Sequence, residues 1–139
     1  MSDRLLLDTC AMIWVAESDP GMAEAALEAL DSAAVAGSPV FVSLITAWEL
    51  GLLEARGVIP MSRPAGAAFD TFVKLPGVQL QDLTGDILAN SSSLPQPVHD
   101  DPADRIIIAT ARALDMTIVT RDRNILSYAE AGHVRALAC

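Results

Sequence analysis

The sequence predicts an α/β fold in which helices cover both faces of a central parallel sheet, a three-layer α/β/α sandwich. Two observations lead to this prediction. Short aliphatic runs alternate along the chain with longer Ala- and Leu-rich segments of helical periodicity. The aliphatic runs are apolar without alternation, which is typical of strands buried on both faces, and strands that alternate with helices form parallel sheets.

The predicted strands are short and lie between loops rich in Pro, Gly and Ser. They are Arg4–Leu7, Val40–Val42, Val78–Leu80, Thr117–Thr120 and Val134–Leu137. The predicted helices are Cys10–Val15, Met22–Val35, Leu44–Arg56, Pro64–Lys74, Thr84–Ser92 and Pro102–Leu114. Ser43 is a candidate N-cap and Gly57 a stop for the third helix. Asp101 is the predicted N-cap of the last helix, with Pro102 at its first position.

Length and composition predict a single domain over residues 1–139 with an aliphatic core. Apolar residues make up 52% of the chain and aromatic residues 4%, which excludes the disordered class. No apolar run reaches the roughly 20 residues needed to span a bilayer, and the first residues lack the pattern of a secretory signal. The two cysteines, Cys10 and Cys139, cannot form a disulfide framework, so we expect a reducing cytoplasm and no membrane partner.

Acidic residues outnumber basic ones by 18 to 9, for a net charge of −9. A field of this sign disfavours nonspecific binding of nucleic acid by the protein as a whole. The charge does not exclude an enzyme that binds nucleic acid at a small local site. The positions of the acids in the sequence therefore decide whether such a site is present.

Two acids follow predicted strands. Asp8 comes directly after Arg4–Leu7, and Asp122 comes two residues after Thr117–Thr120. Open α/β sheets build their sites at the carboxyl ends of strands, so both residues are candidates for one site. Structural roles stay open for both, as the N-cap of Cys10–Val15 for Asp8 and as a turn residue for Asp122.

Glu49 lies on an apolar stripe of its predicted helix. Its neighbours one turn away are Ile45, Leu52 and Leu53, and its polar neighbour is Thr46. Burying an unpaired carboxylate costs several kcal/mol, which a metal ion or an Arg partner would offset. A buried Glu–Arg pair therefore remains the alternative to a metal site.

Asp104 is the third residue of its predicted helix, three positions after Asp101 and on the same face. The helix dipole favours acids in the first turn, so a structural role is open for Asp104 as well. The pair nevertheless supplies more negative charge than a cap requires.

If Asp8, Glu49, Asp104 and Asp122 converge, their combined charge of about −4 needs compensation. Oxygen ligands without nitrogen or sulfur favour Mg²⁺ or Mn²⁺ over zinc. Two such ions would balance the charge, as in metal-assisted phosphodiester hydrolysis, and one ion with a protonated carboxyl is the alternative.

Four segments, in this order, resemble the motifs of PIN-domain ribonucleases. They are Leu5–Thr9, Val42–Ser43 with Thr46–Leu50, His99–Ala111, and Val119–Asp122. The Trp48–Glu49 pair and the Asp-Pro-Ala-Asp-Arg segment at residues 101–105 are similar to those of the VapC-like toxins of type II toxin–antitoxin pairs. The resemblance extends from about Leu5 to Val134.

The resemblance implies a PIN-like fold and a Mg²⁺- or Mn²⁺-dependent endoribonuclease that cuts RNA and slows growth. It also implies a homodimer and inhibition by a cognate antitoxin protein. Matched position by position, the catalytic and metal-binding residues are Asp8, Glu49, Asp104 and Asp122. Asp101, Thr9 and Thr120 match positions that support the acids.

The mechanism expected from the resemblance is in-line attack on phosphorus by a water that Asp122 or Asp104 orients. The candidate RNA contacts, chosen because they lie closest in sequence to the acids, are Arg105, Arg121 and Arg123. Relatives often have a basic residue where this chain has Asp100, which weakens the expected RNA contact near His99.

Two other classes of protein fit the sequence poorly, and two fit it well. An aspartyl phosphotransferase needs a second acid at position 10, which is Cys10, and a receiver domain needs a lysine after Asp122 that the chain lacks. A PIN nuclease of RNA processing outside toxin–antitoxin systems stays open, as does a catalytically inactive PIN scaffold that acts as a binding module.

Overall fold

A computed structural model of the chain describes residues 4–58 and 63–139; residues 1–3 and 59–62 of the predicted domain lie outside the described residues. It contains a five-stranded sheet. The strands are β1 (Arg4–Leu7), β2 (Val40–Ser43), β3 (Val78–Gln81), β4 (Met116–Thr120) and β5 (Arg135–Ala138). Their order is β3-β2-β1-β4-β5, and every neighbouring pair is parallel, which confirms the predicted parallel sheet.

Helices connect each strand to the next, as parallel pairing requires. Over the described residues they are α1 (Thr9–Ala16), α2 (Glu24–Ala36), α3 (Ile45–Ala55), α4 (Ala65–Val73), α5 (Gly85–Asn90), α6 (Pro102–Leu114) and α7 (Arg123–Glu130). None of these helices combines the length and hydropathy needed to cross a bilayer.

The two faces of the sheet bury separate apolar clusters. Leu5 and Leu7 of β1 pack with residues of α1 to α4, whereas Leu6 packs with residues of α5 to α7. Successive strand residues point to opposite faces, so an uninterrupted aliphatic strand needs a helical layer on each side. The three-layer α/β/α sandwich predicted from the sequence is confirmed.

The centre of the sheet is a topological switch point. β1 lies between β2 and β4, with Leu6 in register with Phe41 on one side and Ile118 on the other. The chain leaves β1 into α1 and leaves β4 into α7, and these two helices pack on opposite faces. A crevice forms outside the strand ends where neighbouring connections diverge in this way.

A few boundaries differ from the prediction. Ser43 is the last residue of β2, and although its hydroxyl accepts a hydrogen bond from the Ile45 N–H at 3.1 Å, the N-cap position of α3 falls at Leu44. Helix α7 is missing from the sequence prediction, in which a turn is the structural alternative to a site role for Asp122. The structure instead makes Asp122 the N-cap of α7.

Candidate active site

Three of the predicted acids begin helices beside the switch point. Asp8, Asp101 and Asp122 are the N-caps of α1, α6 and α7. Their Oδ1 atoms accept backbone N–H hydrogen bonds at 2.7, 3.0 and 3.0 Å. The capping roles that the sequence indicates for Asp8 and Asp101 are therefore confirmed, and Asp122 caps a helix that was not predicted. Capping fixes the directions of these side chains without excluding a second role for the remaining oxygens.

Asp8 is the most buried of the acids, with 5% of its surface exposed. The buried Thr120 hydroxyl donates a hydrogen bond to Asp8 Oδ2 and accepts one from the Asp122 N–H at 2.9 Å. Burial raises the pKa of Asp8 above its usual range and the nearby Asp122 charge adds to this, while the hydrogen bonds that Asp8 accepts from the Thr120 hydroxyl and the Ala11 N–H oppose it. Thr120 thus joins the end of β1 to the start of α7.

Glu49 approaches the other acids from α3. The Thr9 hydroxyl donates a hydrogen bond to Glu49 Oε1 and lies 3.2 Å from the buried Thr46 hydroxyl. Desolvation raises the pKa of Glu49 to about 7, assisted by the charges of the neighbouring acids and opposed by the Thr9 hydrogen bond. Among the described residues no Arg or Lys pairs with Glu49, so the alternative of a buried Glu–Arg pair is wrong for this part of the chain.

Asp104 lies in the first turn of α6 and faces His99. The His99 Nε2 and Asp104 Oδ2 atoms are 2.9 Å apart. Desolvation raises the pKa of Asp104 to about 6, the His99 hydrogen bond opposes this, and the charges of Asp101 and Asp122 add to it. A helix dipole would lower the pKa of a solvated first-turn acid, so Asp104 occupies an environment that a dipole role alone does not explain.

The structure brings the four predicted acids together. One ligand atom from each of Glu49, Asp101 and Asp104 forms a group within 4.8 Å, and the same holds for His99, Asp104 and Asp122. Asp8 joins them through the Thr120 bridge to Asp122. The four acids also act together on the nearby Cys10 thiol. Desolvation, followed by the charges of Asp8, Glu49, Asp104 and Asp122, raises the pKa of Cys10 to about 11.

The hydrogen bonds within the cluster leave oxygens available for a cation. Glu49 Oε2, Asp104 Oδ1 and Asp122 Oδ2 receive no hydrogen bond from the described residues. None of these three carboxylates has an Arg or Lys partner among the described residues, and a divalent cation would compensate their charge. The donor set therefore fits the Mg²⁺ or Mn²⁺ expected from the sequence.

His99 also contacts the acid cluster, although it is not among the residues predicted for the site. Its position five residues before Asp104, across the loop into α6, offers no periodicity that predicts contact. The three candidate RNA contacts differ in their surroundings. Arg105 donates from Nε to the His99 carbonyl oxygen at 2.7 Å, Arg121 stacks on the Trp14 ring, and Arg123 is exposed at the first position of α7.

Comparison with known proteins identifies relatives over most of the chain. Ribonuclease VapC22 of Mycobacterium tuberculosis is 27% identical over 124 residues, which cover 89% of this chain and 91% of that protein. VapBC2 from Rickettsia felis, solved bound to a DNA fragment from its promoter, has a TM-score of 0.66 at 15% identity and covers 96% of this chain and 97% of that one. A toxin–antitoxin complex from Klebsiella pneumoniae has a TM-score of 0.56 at 23% identity, covering 87% and 89%.

Because the two solved structures are only 15% and 23% identical to this chain, their similarity shows a shared fold and no more. The sequence match is more specific, because the model of the PIN domain family matches residues 5–131, from β1 to just past the end of α7. That span includes all four acids of the crevice and both strands that form the switch point. The chain therefore belongs to the PIN domain family.

Proposed function

We propose that residues 1–139 form one domain that acts as a Mg²⁺- or Mn²⁺-dependent endoribonuclease, and that this protein is the toxin of a toxin–antitoxin pair. The observation on which the proposal depends is the cluster of Asp8, Glu49, Asp104 and Asp122, whose charges have no Arg or Lys partner among the described residues. A structural protein gains nothing from such a cluster, because it destabilises the fold without a cation.

In this proposal the four carboxylates hold one or two divalent cations. When bound, the cation would promote ionisation of a water nucleophile and stabilise negative charge on the phosphate in the transition state. The residues around the acids have positioning roles. Thr120 fixes Asp8, Thr9 and Thr46 fix Glu49, and Asp101 fixes the backbone N–H at Asp104.

The free carboxylate oxygens give the chain a way to orient the attacking water. Asp104 Oδ1 and Asp122 Oδ2 have no protein donor among the described residues, so each can accept a hydrogen bond from a water beside the scissile phosphate. The water would lose a proton to one of these carboxylates as its oxygen forms a bond to phosphorus, and the leaving ribose oxygen would take a proton from solvent as its bond to phosphorus breaks.

RNA binding has to overcome the net charge of −9. Arg123 is the most available of the three candidate contacts, because it is exposed and has no partner among the described residues. Arg105 and Arg121 each combine a structural contact with a position beside the acids. A homodimer would place the basic residues of two subunits along one RNA, which partly offsets the acidic field.

The nuclease activity is tested with purified protein and a chimeric substrate. Cleavage of RNA should require Mg²⁺ or Mn²⁺ and stop in EDTA, and Glu49→Gln should abolish it while the matched surface variant Glu28→Gln keeps it. Because a water is the proposed nucleophile, a single 2′-deoxy nucleotide at the cleavage position should leave cutting intact. Cleavage that persists in EDTA, or that needs the 2′-hydroxyl as nucleophile, would refute the mechanism.

The toxin assignment is supported by the relatives, one named Ribonuclease VapC22 and others solved as VapBC and toxin–antitoxin complexes. Induced expression should arrest growth, and co-expression of the small protein encoded next to it should relieve the arrest. Growth arrest that no neighbouring gene relieves would favour a PIN nuclease of RNA processing instead. An unarrested culture together with inactive purified protein would favour the inactive scaffold.

A further inference from the structure

His99 lies against the acid cluster and has no role in the chemistry described so far. Its Nε2 atom is 2.9 Å from Asp104 Oδ2, and Nε2 together with one oxygen each of Asp104 and Asp122 forms a group within 4.8 Å. The side chains of His99 and Asp104 are 16% and 15% exposed. The imidazole is thus part of the acid cluster, and its side chain is largely buried there.

The spacing of these atoms matches the ligands of a single cation. An octahedral ion with bonds of about 2.1 Å places neighbouring ligands about 3.0 Å apart and opposite ligands about 4.2 Å apart. The distance from His99 Nε2 to Asp104 Oδ2 matches the first value, and one oxygen of Asp122 lies within 4.8 Å of both atoms. Small side-chain rotations would bring all three atoms onto one ion.

The position of His99 is fixed from the same helix that presents Asp104. Arg105 of α6 donates from Nε to the His99 carbonyl oxygen at 2.7 Å, and its guanidinium lies 3.5 Å from Asp100. The residue next to Asp104 in sequence therefore anchors the backbone of His99. Such anchoring is what a ligand supplied from a loop needs, because it reduces the freedom lost on binding.

We propose that His99 Nε2 is a ligand of the cation held by Asp104 and Asp122, so that the site is a mixed nitrogen–oxygen centre selective for a first-row transition ion such as Mn²⁺ over Mg²⁺. The inference rests on the proposed metal site and goes beyond it in donor set and ion choice. Mg²⁺ prefers oxygen ligands and gives up its water reluctantly, whereas imidazole binds transition ions more strongly.

The direct test is pulsed electron paramagnetic resonance on the protein loaded with Mn²⁺. A bound imidazole nitrogen couples to the Mn²⁺ spin, and labelling histidine with ¹⁵N changes that coupling. We expect the nitrogen coupling in the wild type and in the control variant His133→Asn. In the wild type His133 packs against Tyr128, with ring centroids 4.7 Å apart, and not against the acids. We expect the nitrogen coupling to be lost in His99→Asn and in His99→Gln. If those variants do not fold, the spectrum of the wild type by itself tests the proposal, because a missing coupling there would refute it.

A titration calorimetry experiment separates ligation from hydrogen bonding. Loss of a nitrogen ligand should lower Mn²⁺ affinity by about tenfold or more while changing Mg²⁺ affinity much less, so the selectivity ratio falls. If His99 only orients Asp104 through a hydrogen bond, the affinities for both ions should fall by similar factors, which would overturn the inference.

The outcomes also separate this inference from the proposed function. Bound Mn²⁺ without nitrogen coupling would overturn the role of His99 and leave the carboxylate site standing. Absence of Mn²⁺ binding in the wild type would overturn the metal site and the role of His99 together.

Discussion

Replacing Glu49 by Gln should stabilise the protein in EDTA at alkaline pH. Glu49 is partly desolvated among other acids, and its pKa is raised from 4.5 to about 7. The amide of Gln removes the charge and keeps an oxygen that can accept the Thr9 hydrogen bond. The substitution therefore removes a destabilising charge with little loss of contacts.

The magnitude follows from the pKa. One pKa unit corresponds to about 1.4 kcal/mol, so ionised Glu49 costs at most about 3 kcal/mol. Water and counter-ions reach this half-buried side chain, so we expect a measured gain of about 1 to 3 kcal/mol in the free energy of unfolding near pH 8.

The sign of the pH dependence is fixed by the direction of the shift. Between pH 4.5 and about 7 the folded state binds more protons at Glu49 than the unfolded state does, so the free energy of unfolding falls as pH rises through this window. Below the window the group is neutral in both states, so the advantage of Glu49→Gln should shrink towards zero near pH 4.5.

The assay is urea unfolding in EDTA at about pH 5 and about pH 8 for the wild type, Glu49→Gln and Glu28→Gln. Glu28 is exposed on α2, so its substitution should change stability by only a few tenths of a kcal/mol at either pH. A Glu49→Gln protein that is no more stable than the wild type near pH 8, or equally stabilised at both pH values, would refute the electrostatic argument.

Three further results are expected. Asp104→Asn should abolish RNA cleavage and leave the free energy of unfolding in EDTA unchanged or raised by about 1 kcal/mol. Asp101→Ala should lower the free energy of unfolding by about 1 kcal/mol, because the helix loses its cap, and should keep measurable activity. Thermal melts and single-turnover cleavage measure these effects. Thr120→Val should lower the free energy of unfolding by about 1 to 3 kcal/mol and reduce cleavage, because Asp8 loses a buried hydrogen-bond donor. Thr120→Ser keeps the hydroxyl, so its stability and activity should stay near those of the wild type. Equal losses in the two variants would contradict this role. Mg²⁺ at about 100 times its dissociation constant should stabilise the wild type by about 2.7 kcal/mol and Asp104→Asn much less, and a melting temperature that does not respond to Mg²⁺ would count against the site.

Much of the fold was available from the sequence because burial imposes simple patterns. Strands covered on both faces must be apolar at successive positions, and Leu5, Leu6 and Leu7 satisfy this in one short run. Helix α6 was predicted to the residue because Asp101 and Pro102 form a local start signal. Helix α7 was missed because its start signal is a single Asp122, which suits a turn equally well.

The sequence by itself determined that Asp8 and Asp122 lie at the same edge of the sheet, because both follow strands that run parallel. The pairing of β1 with β4, which makes the two acids neighbours, is a property of the tertiary structure. Only the tertiary structure decided which partners these acids have. The contacts between Thr120 and Asp8, between Thr9 and Glu49, and between His99 and Asp104 join residues on different elements or across a loop. No local pattern encodes such contacts, because they depend on strand order, on the helix faces that pack against the sheet, and on the desolvation that this packing imposes.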